Sequence, residues 1–367
     1  MVVVVTTVAS FEIEYRRYLD PAGRPERPLP AFARDRDAVV ALYRAMVLTR
    51  TFDAKAIALQ RTGRLGTYPS CLGQEAVAVG LGDAMAPDDV LLPYAREQGA
   101  QFLRGVTPTE LFLYWGGDER GSDFGRARED FPICVPVASH APHAVGVALA
   151  FQLRNERRAA VCVTGDGATS KGDFYEALNV AGAWRLPAVF VVTNNQWAIS
   201  LPRSAQTAAA TLAQKAIAAG FAGEQVDGND VVVVRDAVHR ALAHARDGAG
   251  PHLIEAITYR LSDHTTADNA SRYRDDESVG GHWREDPIAR LRAHLTAAHG
   301  WSKDEEEAAL ASCAADVDRA ADEYLATPPQ PPEVVFDYLY ERLPADLAGQ
   351  RAAAAEAQAA AARSDDG

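Results

Sequence analysis

Three short apolar runs, each beside a stretch with helical periodicity, constrain the fold of this chain more than any other feature. The apolar runs are 159–164, 188–193 and 253–258. The helical stretches beside them are 141–154, 174–184 and 231–245. Strands that are apolar on both faces must be covered on both, so their alternation with helices predicts a parallel sheet. Right-handed crossovers then give an α/β fold, a doubly wound parallel sheet with helices on both faces.

The remainder of the chain divides into three predicted regions. Residues 1–33 contain four prolines and predict an extended N-terminal arm that lies on a surface or on a partner rather than in a core. Residues 34–345 hold the sheet and a C-terminal helical extension, in which 333–343 is predicted to be a helix. Residues 346–367 form an alanine-rich tail.

Charge and composition exclude several classes of protein. The 37 Lys and Arg residues are outnumbered by 50 Asp and Glu residues, and a net charge of −13 argues against a nucleic-acid partner. No apolar run approaches the roughly 18–20 residues of a membrane helix, and the short apolar stretch 1–5, which lacks a basic region before it, does not predict a signal peptide. The four cysteines are widely spaced, which predicts reduced thiols in a cytoplasmic protein.

The stretch with most chemical content joins the first apolar run to the second. Gly165-Asp166-Gly167 follows the first run, and Asn195 follows the second. Both ends meet at the same edge of a parallel sheet, so Asp166 and Asn195 present two oxygen ligands beside a glycine turn and the start of a helix. Oxygen ligands next to phosphate-binding N–H groups are typical of a Mg²⁺-diphosphate site.

The spacing of these glycines does not fit the common nucleotide-binding motifs. Gly165-x-Gly167 is followed by Ser170 and not by the third glycine of a Rossmann fingerprint, and no P-loop motif is present. An ordinary turn would account for Gly165-Asp166-Gly167 taken alone, and an ordinary loop would account for Asn194-Asn195 taken alone. The strand-helix-strand context favours the cofactor site over the ordinary turn.

The string from Gly165 to Asn195 is similar to the thiamine diphosphate signature, so the expected domain is a thiamine diphosphate-binding fold. From Phe11 to about Leu343 the chain resembles the α subunit of the two-subunit 2-oxoacid dehydrogenases. That family includes the decarboxylating component of the pyruvate and branched-chain 2-oxoacid dehydrogenase complexes. Further matching pieces are Gly73-Gln74-Glu75-Ala76, residues 226–230 and residues 258–274.

The resemblance implies roles for particular residues. Asp166 and Asn195 would bind Mg²⁺ through their side chains, and Trp197 through its carbonyl. The diphosphate would be held in the turn that begins at Gly165 by the N–H groups of Gly167 and Ala168 and by the guanidinium of Arg96. The backbone of Val137 would contact the aminopyrimidine. His264 would orient the cofactor and assist acyl transfer to a lipoyl group.

The resemblance also implies partners. The glutamate that activates the cofactor belongs to a β subunit in this family, so an α2β2 heterotetramer is expected, which passes the acyl group to a lipoyl-bearing acyltransferase. Pyruvate is the expected 2-oxoacid substrate. Branched-chain 2-oxoacids, acetoin and a degenerate non-catalytic paralogue stay open as alternatives.

Several positions depart from the family pattern. Ala95 replaces a tyrosine before Arg96, His140 replaces a glutamine, and Lys171 replaces a glutamate. Thr265 stands where mitochondrial relatives carry a regulatory serine, which makes control by a kinase at this position doubtful. His140 and His143 could line the same cleft. The favoured interpretation is that they are ordinary polar residues at the start of a helix. The polar stretch 261–284, which includes Arg272 and Arg274, is predicted to be one long loop and is expected to order over the diphosphate.

Overall fold

The computed structural model describes residues 6–365 and is built around a six-stranded parallel sheet. The strand order across the sheet is β1-β7-β8-β4-β3-β2. The strands are β1 (Tyr15–Arg16), β2 (Val90–Leu92), β3 (Ala160–Gly165), β4 (Ala188–Asn194), β7 (Gly223–Asp227) and β8 (His252–Ile257), and a two-stranded hairpin is formed by β5 (Trp197–Ala198) and β6 (Leu201–Pro202).

Helices cover both faces of the sheet. One apolar cluster packs α5 (Ala141–Arg154), α6 (Gly172–Trp184) and α8 (Lys215–Ala218) against one face of the sheet. Another packs α2 (Glu75–Ala84), α3 (Gln98–Leu103) and α9 (Val231–Arg246) against the opposite face. The predicted doubly wound α/β architecture is therefore confirmed. The α-helices are α1 (Arg36–Arg61), α2 (Glu75–Ala84), α3 (Gln98–Leu103), α4 (Pro108–Trp115), α5 (Ala141–Arg154), α6 (Gly172–Trp184), α7 (Arg203–Gln206), α8 (Lys215–Ala218), α9 (Val231–Arg246), α10 (Asp276–His282), α11 (Pro287–His299), α12 (Lys303–Ala326) and α13 (Ala345–Asp365).

Three strands of the sheet were not predicted from the sequence. β1 and β2 are too short to show a pattern, and β7 alternates buried and half-buried positions with polar residues among them. Residues Tyr15–Arg16 pair with β7, and the side chain of Leu19 is only 1% exposed. Part of the N-terminal segment is thus built into the sheet and the core.

The predicted helix over 333–343 is wrong. A single 3₁₀ turn covers Pro332–Phe336, and turns and bends follow it up to α13. The apolar residues Tyr338, Leu339 and Tyr340 of this segment are exposed, so it lacks the packing of an apolar face from which most helices in proteins take their stability. The polar stretch 261–284 is not one long loop either, because it contains a 3₁₀ turn and α10.

The described residues form two compact units, which meet in sequence between Ala321 and Asp322. The boundaries predicted from the sequence, at 33/34 and 345/346, stay a prediction. Within the described part of the chain, no helix has the length and apolar character needed to cross a membrane. Cys71, Cys134, Cys162 and Cys313 are free thiols.

The sheet register places the motif residues at one edge. Gly165, the last residue of β3, pairs with Thr193 of the neighbouring strand β4. The chain segments that leave these two strands, which carry Asp166 and Asn195, therefore begin side by side at the carboxyl edge of the sheet, where open α/β sheets bind ligands.

Candidate active site at the carboxyl edge of the sheet

A cavity of about 460 Å³ opens at this edge, and every site residue predicted from the sequence lines it. The residues come from separate parts of the chain, since the sheet gathers the ends of its strands. They are Arg96, Val137, Gly165, Asp166, Gly167, Ala168, Asn195, Trp197 and His264. Their juxtaposition is observed, and their roles toward a ligand stay predictions.

Asp166 is a buried acid without a cationic partner. Its side chain is 3% exposed, and its Oδ2 accepts a hydrogen bond of 3.2 Å from the Gln206 amide. Among the described residues, no Lys or Arg forms an ion pair with it. Burial raises the pKa of Asp166 to about 6, because the charged carboxylate has lost its hydration. A bound cation would compensate that charge.

The turn after β4 orients Asn195 and Trp197. The N–H of Trp197 donates to Asn195 Oδ1 at 3.2 Å, and Asn195 Nδ2 donates to Gln74 Oε1 at 2.9 Å. Gln196 adopts a left-handed backbone with φ of 73°, which reverses the chain within one residue. Asn194 is anchored below the turn, where its Nδ2 donates to the buried Glu255 at 2.7 Å.

The two glycines of the motif serve different purposes. Gly165 has an ordinary φ of −81°, and a Cβ added there would meet no atom within 4 Å, so its missing side chain enlarges the cavity. A Cβ on Gly167 would lie 2.6 Å from Ala198 Cβ, so glycine is required by close packing. A 3₁₀ turn, Asp166–Ser170, lies between β3 and α6, where the sequence predicted a glycine turn before a helix over 174–184.

Arg96 and His264 are held together at the wall of the cavity. The Arg96 side chain is 6% exposed and donates to the carbonyl of Ser70. Its second terminal nitrogen lies 2.8 Å from the carbonyl oxygen of His264 and 3.2 Å from His264 Nδ1. One arginine therefore joins the loop before α2 to the loop after β8.

His264 is kept neutral by its surroundings. Burial, reinforced by the charges of Arg96 and Arg260, lowers the pKa of His264 to about 4. Arg260 approaches Nδ1 at 3.4 Å, and since both arginines can only donate, Nδ1 is the acceptor. The proton of the neutral ring is thereby assigned to Nε2, which is available to a group in the cavity.

Sequence reasoning missed some residues of this region. Tyr94, Val135, Lys171, Ala198 and Ile199 also line the cavity. Ile199 combines a left-handed φ of 55° with a 55% exposed side chain, which is unusual for a β-branched residue. Lys171 lies within the motif that begins at Gly165, and the other four positions are signalled only by nearness in sequence to residues predicted for the site.

Two supporting residues were also missed. Gln74 and Arg260 touch predicted site residues from behind, yet neither lines the cavity. Arg260 is fully buried, and its terminal nitrogen donates to the Ile199 carbonyl and to the Tyr273 hydroxyl, both at 2.8 Å. Each lies in a sequence piece that matched the family, which was the available signal.

The departures from the family pattern acquire definite places. Ala95 is buried, and the phenol of Tyr94 lines the cavity in its stead. His140 is buried, contacts the Val163 carbonyl at 2.7 Å and stacks against Tyr94, in keeping with a packing role. Arg274 donates to the Ser262 carbonyl at 3.0 Å, and neither it nor Arg272 lines the cavity.

The donor set suits a hard divalent cation. Within the described residues, no group of three or more His, Cys, Asp or Glu side chains is placed to hold a metal. A site here would instead combine one carboxylate, one amide oxygen and one backbone carbonyl. Mg²⁺ accepts such mixed oxygen ligands and is commonly bound by few protein groups together with phosphate oxygens. The uncompensated Asp166 and the open space at Gly165 fit a metal-diphosphate group.

Comparison with known proteins agrees with this geometry. Residues 43–333 match the family model for the dehydrogenase E1 component. The chain is 40% identical over 348 residues to 3-methyl-2-oxobutanoate dehydrogenase subunit alpha of Mycobacterium tuberculosis, covering 93% of this chain and 94% of that protein.

It is also 39% identical over 315 residues to the pyruvate dehydrogenase E1 component subunit alpha of Staphylococcus aureus, covering 86% of this chain and 85% of that protein. The family model covers the cavity-lining residues as well as most of the sheet. The chain therefore belongs to the dehydrogenase E1 component family and is an alpha subunit of the 2-oxoacid dehydrogenase type.

Proposed function

We propose that this chain supplies the Mg²⁺-diphosphate half of the active site of a thiamine diphosphate-dependent 2-oxoacid dehydrogenase. Thiamine diphosphate is the cofactor of the dehydrogenase E1 family. The observation that carries the proposal is the single cavity shared by all nine predicted residues. The intact Asp166 and Asn195 also argue against a degenerate, non-catalytic paralogue.

In this proposal each group has a defined task. Asp166, Asn195 Oδ1 and the Trp197 carbonyl hold Mg²⁺. The N–H groups of Gly167 and Ala168, with the guanidinium of Arg96, hold the diphosphate through charge-assisted hydrogen bonds. When bound, thiamine diphosphate supplies the nucleophilic carbon and the electron sink that decarboxylation requires.

Val137 and His264 complete the wall of the cavity. Val137, which lines the cavity, would contact the aminopyrimidine through its backbone. His264, neutral and protonated at Nε2, donates a hydrogen bond to the bound groups and assists transfer of the acyl group to the lipoyl acceptor. Among the described residues that line the cavity, Asp166 is the only carboxylate. We therefore assign the glutamate that activates the aminopyrimidine to a β subunit.

The proposed assembly is an α2β2 heterotetramer in the cytoplasm that works with a lipoyl-bearing acyltransferase. Pyruvate is the first substrate proposed. A branched-chain 2-oxoacid is the second, because the identity to the mycobacterial 3-methyl-2-oxobutanoate dehydrogenase subunit, 40%, is as high as that to the staphylococcal pyruvate dehydrogenase subunit.

The test is an assay of the α chain alone and of the α chain copurified with its β subunit. Pyruvate, 3-methyl-2-oxobutanoate and acetoin are offered with Mg²⁺, thiamine diphosphate and a lipoylated acceptor. We expect activity only from the α chain copurified with its β subunit, with one of the 2-oxoacids preferred. Full activity of the α chain alone, or a complex that binds no thiamine diphosphate, would contradict the proposal.

A matched pair of variants localises the activity. D166N removes the buried carboxylate at the cavity and should lower kcat by more than about 100-fold, a loss typical of a missing electrostatic group at a reacting centre. D316N removes an exposed carboxylate of α12, paired at the surface with Arg319, and should leave kcat unchanged. Equal activity of the two variants would count against the assigned metal site.

A further inference from the structure

The side-chain amide of Asn195 is held in one orientation. A backbone N–H can only donate, so the 3.2 Å contact from the Trp197 N–H identifies the accepting atom of Asn195 as Oδ1. The opposite atom, Nδ2, then donates to Gln74 Oε1 at 2.9 Å. Rotation of the amide by half a turn would break both hydrogen bonds and would turn an N–H₂ group toward any cation.

Gln74 is a rigid base for this contact. It is 2% exposed and immediately precedes α2, a helix with nearly every residue buried. The preceding residue, Gly73, accepts a 2.9 Å hydrogen bond at its carbonyl from the Thr258 hydroxyl, which ties this backbone to the end of β8. The Gln74 side chain therefore reaches Asn195 from a backbone that is fixed on both sides.

The other end of the same amide is unsatisfied. Gln74 Nε2 is buried and has no hydrogen-bond partner among the described residues. Leaving a buried donor unpaired costs about 1–3 kcal/mol, which an aliphatic side chain at this position would avoid. The unpaired Nε2 of Gln74 is destabilising, whereas its Oε1 accepts a hydrogen bond from Asn195. The contact with Asn195 therefore explains why a glutamine stands at this buried position.

We propose that Gln74 is a positioning residue for the metal ligand Asn195. It binds Nδ2 and so keeps Oδ1 as the end of the amide that is free for Mg²⁺. This inference rests on the proposed function, because it concerns the same metal site. Gln74 contacts neither the metal nor the diphosphate in this scheme and acts through Asn195 alone.

The chain offers a matched control. Gln101, in α3, is also 2% exposed and also has a buried Nε2 without a partner among the described residues. In the part of the chain that the structure describes, no hydrogen bond connects the Gln101 side chain to the residues around the cavity. Q74L and Q101L thus remove the same buried amide at two places, and only the first is joined to Asn195.

The experiment measures metal binding directly. The αβ complex, saturated with thiamine diphosphate, is titrated with Mn²⁺ as the probe, and the free Mn²⁺ is followed by its electron paramagnetic resonance signal. Loss of a hydrogen-bonding partner of a metal ligand typically weakens metal affinity about 10–100-fold, and we expect a rise in Kd of that size for Q74L. Q101L should bind as the wild type does. Q74E keeps an accepting oxygen and should restore affinity to within about threefold.

Each outcome is decisive. A Q74L complex that binds Mn²⁺ with wild-type affinity, or Q74L and Q101L that weaken binding equally, would overturn the role of Gln74. If Q74L does not fold, Q74N replaces it, since the shortened amide keeps its polarity but no longer reaches Asn195. A wild-type complex that binds no Mn²⁺ would refute the proposed function itself, so the two failures are distinguishable.

Discussion

At the scale of single residues, the site is made of groups held in unfavourable surroundings. Asp166 is a carboxylate without a cation, His264 is an imidazole between two guanidinium groups, and Gln74 has an unpaired amide N–H. Each arrangement costs stability and prepares a group for a ligand: a carboxylate for a metal, a neutral donor for a substrate, and an oriented amide.

D166N should stabilise the cofactor-free protein at pH 8. The folded pKa of Asp166, about 6, lies above the ordinary value of 3.8, so the carboxyl contributes most stability below about pH 4 and loses it as the pH rises through 6. Removing the buried charge should raise the unfolding free energy by about 1–3 kcal/mol at pH 8. Thermal unfolding of D166N and of the wild type at pH 8 measures this difference in stability.

The same experiment contains its own controls. The gain should shrink toward pH 4.5, where the wild-type carboxyl is protonated. With Mg²⁺ and thiamine diphosphate added, the order should reverse, because only the wild type binds the ligands and is stabilised by them. A lower Tm for D166N at pH 8 without ligands would disprove the assigned cost of this charge.

His264 should stay neutral to below pH 5. Nuclear magnetic resonance titration of labelled histidine measures its pKa, which burial and the two neighbouring arginines hold near 4. R260M removes one of the cations and should raise this pKa. R235M, which removes an arginine paired with Asp83 instead, should leave it unchanged. A wild-type pKa at or above 6.5 would contradict the assigned environment.

At the scale of elements, the prediction from sequence succeeded where a strand has a complete apolar signature. β3, β4 and β8 are buried on both faces and are rich in apolar residues, with Glu255 as the one buried charge of β8, whereas β1 and β2 have only 2 and 3 residues. The helix after β3 was also predicted, but not the 3₁₀ turn before it. Within that turn, Gly167 packs so closely against the hairpin residue Ala198 that a Cβ would not fit, a constraint that comes from a neighbour distant in sequence.

Two glycine variants separate packing from binding in this turn. G167A would place a methyl group 2.6 Å from Ala198 Cβ and should cost about 1–3 kcal/mol of stability, as overpacked positions do. G165A meets no neighbour and should keep the wild-type Tm, but its methyl group enters the cavity and should raise the Kd of thiamine diphosphate. Denaturant unfolding and calorimetric titration measure the two effects, and the reverse pattern would refute these assignments.

At the scale of the whole molecule, buried ion pairs connect the helices behind the sheet. Arg50 of α1 lies 2.7 Å from Glu75 of α2 and 2.7 Å from Asp286, the residue that caps α11. The Glu75 side chain is fully buried, and burial raises its pKa despite the arginine. One guanidinium therefore compensates a carboxylate that has no access to water.

R50M should destabilise the protein by about 3–5 kcal/mol at pH 8, because it leaves Glu75 charged and buried without its partner. The loss should be smaller at pH 5 than at pH 8, because the raised pKa of Glu75 favours its protonation as the pH falls, and protonation relieves the unpaired charge. R319M breaks an exposed pair and should change stability by no more than about 0.5 kcal/mol. Urea unfolding at both pH values measures these differences, and equal effects of R50M and R319M would contradict the role assigned to Arg50.

The net charge of −13 does not describe the cavity. Arg96 and Lys171 line it against one carboxylate, Asp166, and Arg260 lies directly behind it. An acidic chain thus presents a locally cationic wall to an anionic cofactor. Composition alone could not locate this wall, because Arg96, Lys171 and Arg260 come from distant parts of the chain and are gathered by the fold.

The sequence by itself determined the doubly wound sheet and the motif from Gly165 to Asn195, because apolar runs and turn motifs are local patterns that one strand or one turn expresses. Arg96, Val137, Trp197 and His264 were assigned by the resemblance to the family, and the fold brings them into the same cavity. Only the tertiary structure decided what supports them. Gln74 behind Asn195, Arg260 behind His264 and Ala198 against Gly167 are contacts that the motifs do not encode. Such contacts leave no periodicity in the chain, since burial and hydrogen bonding depend on which segments the fold places side by side.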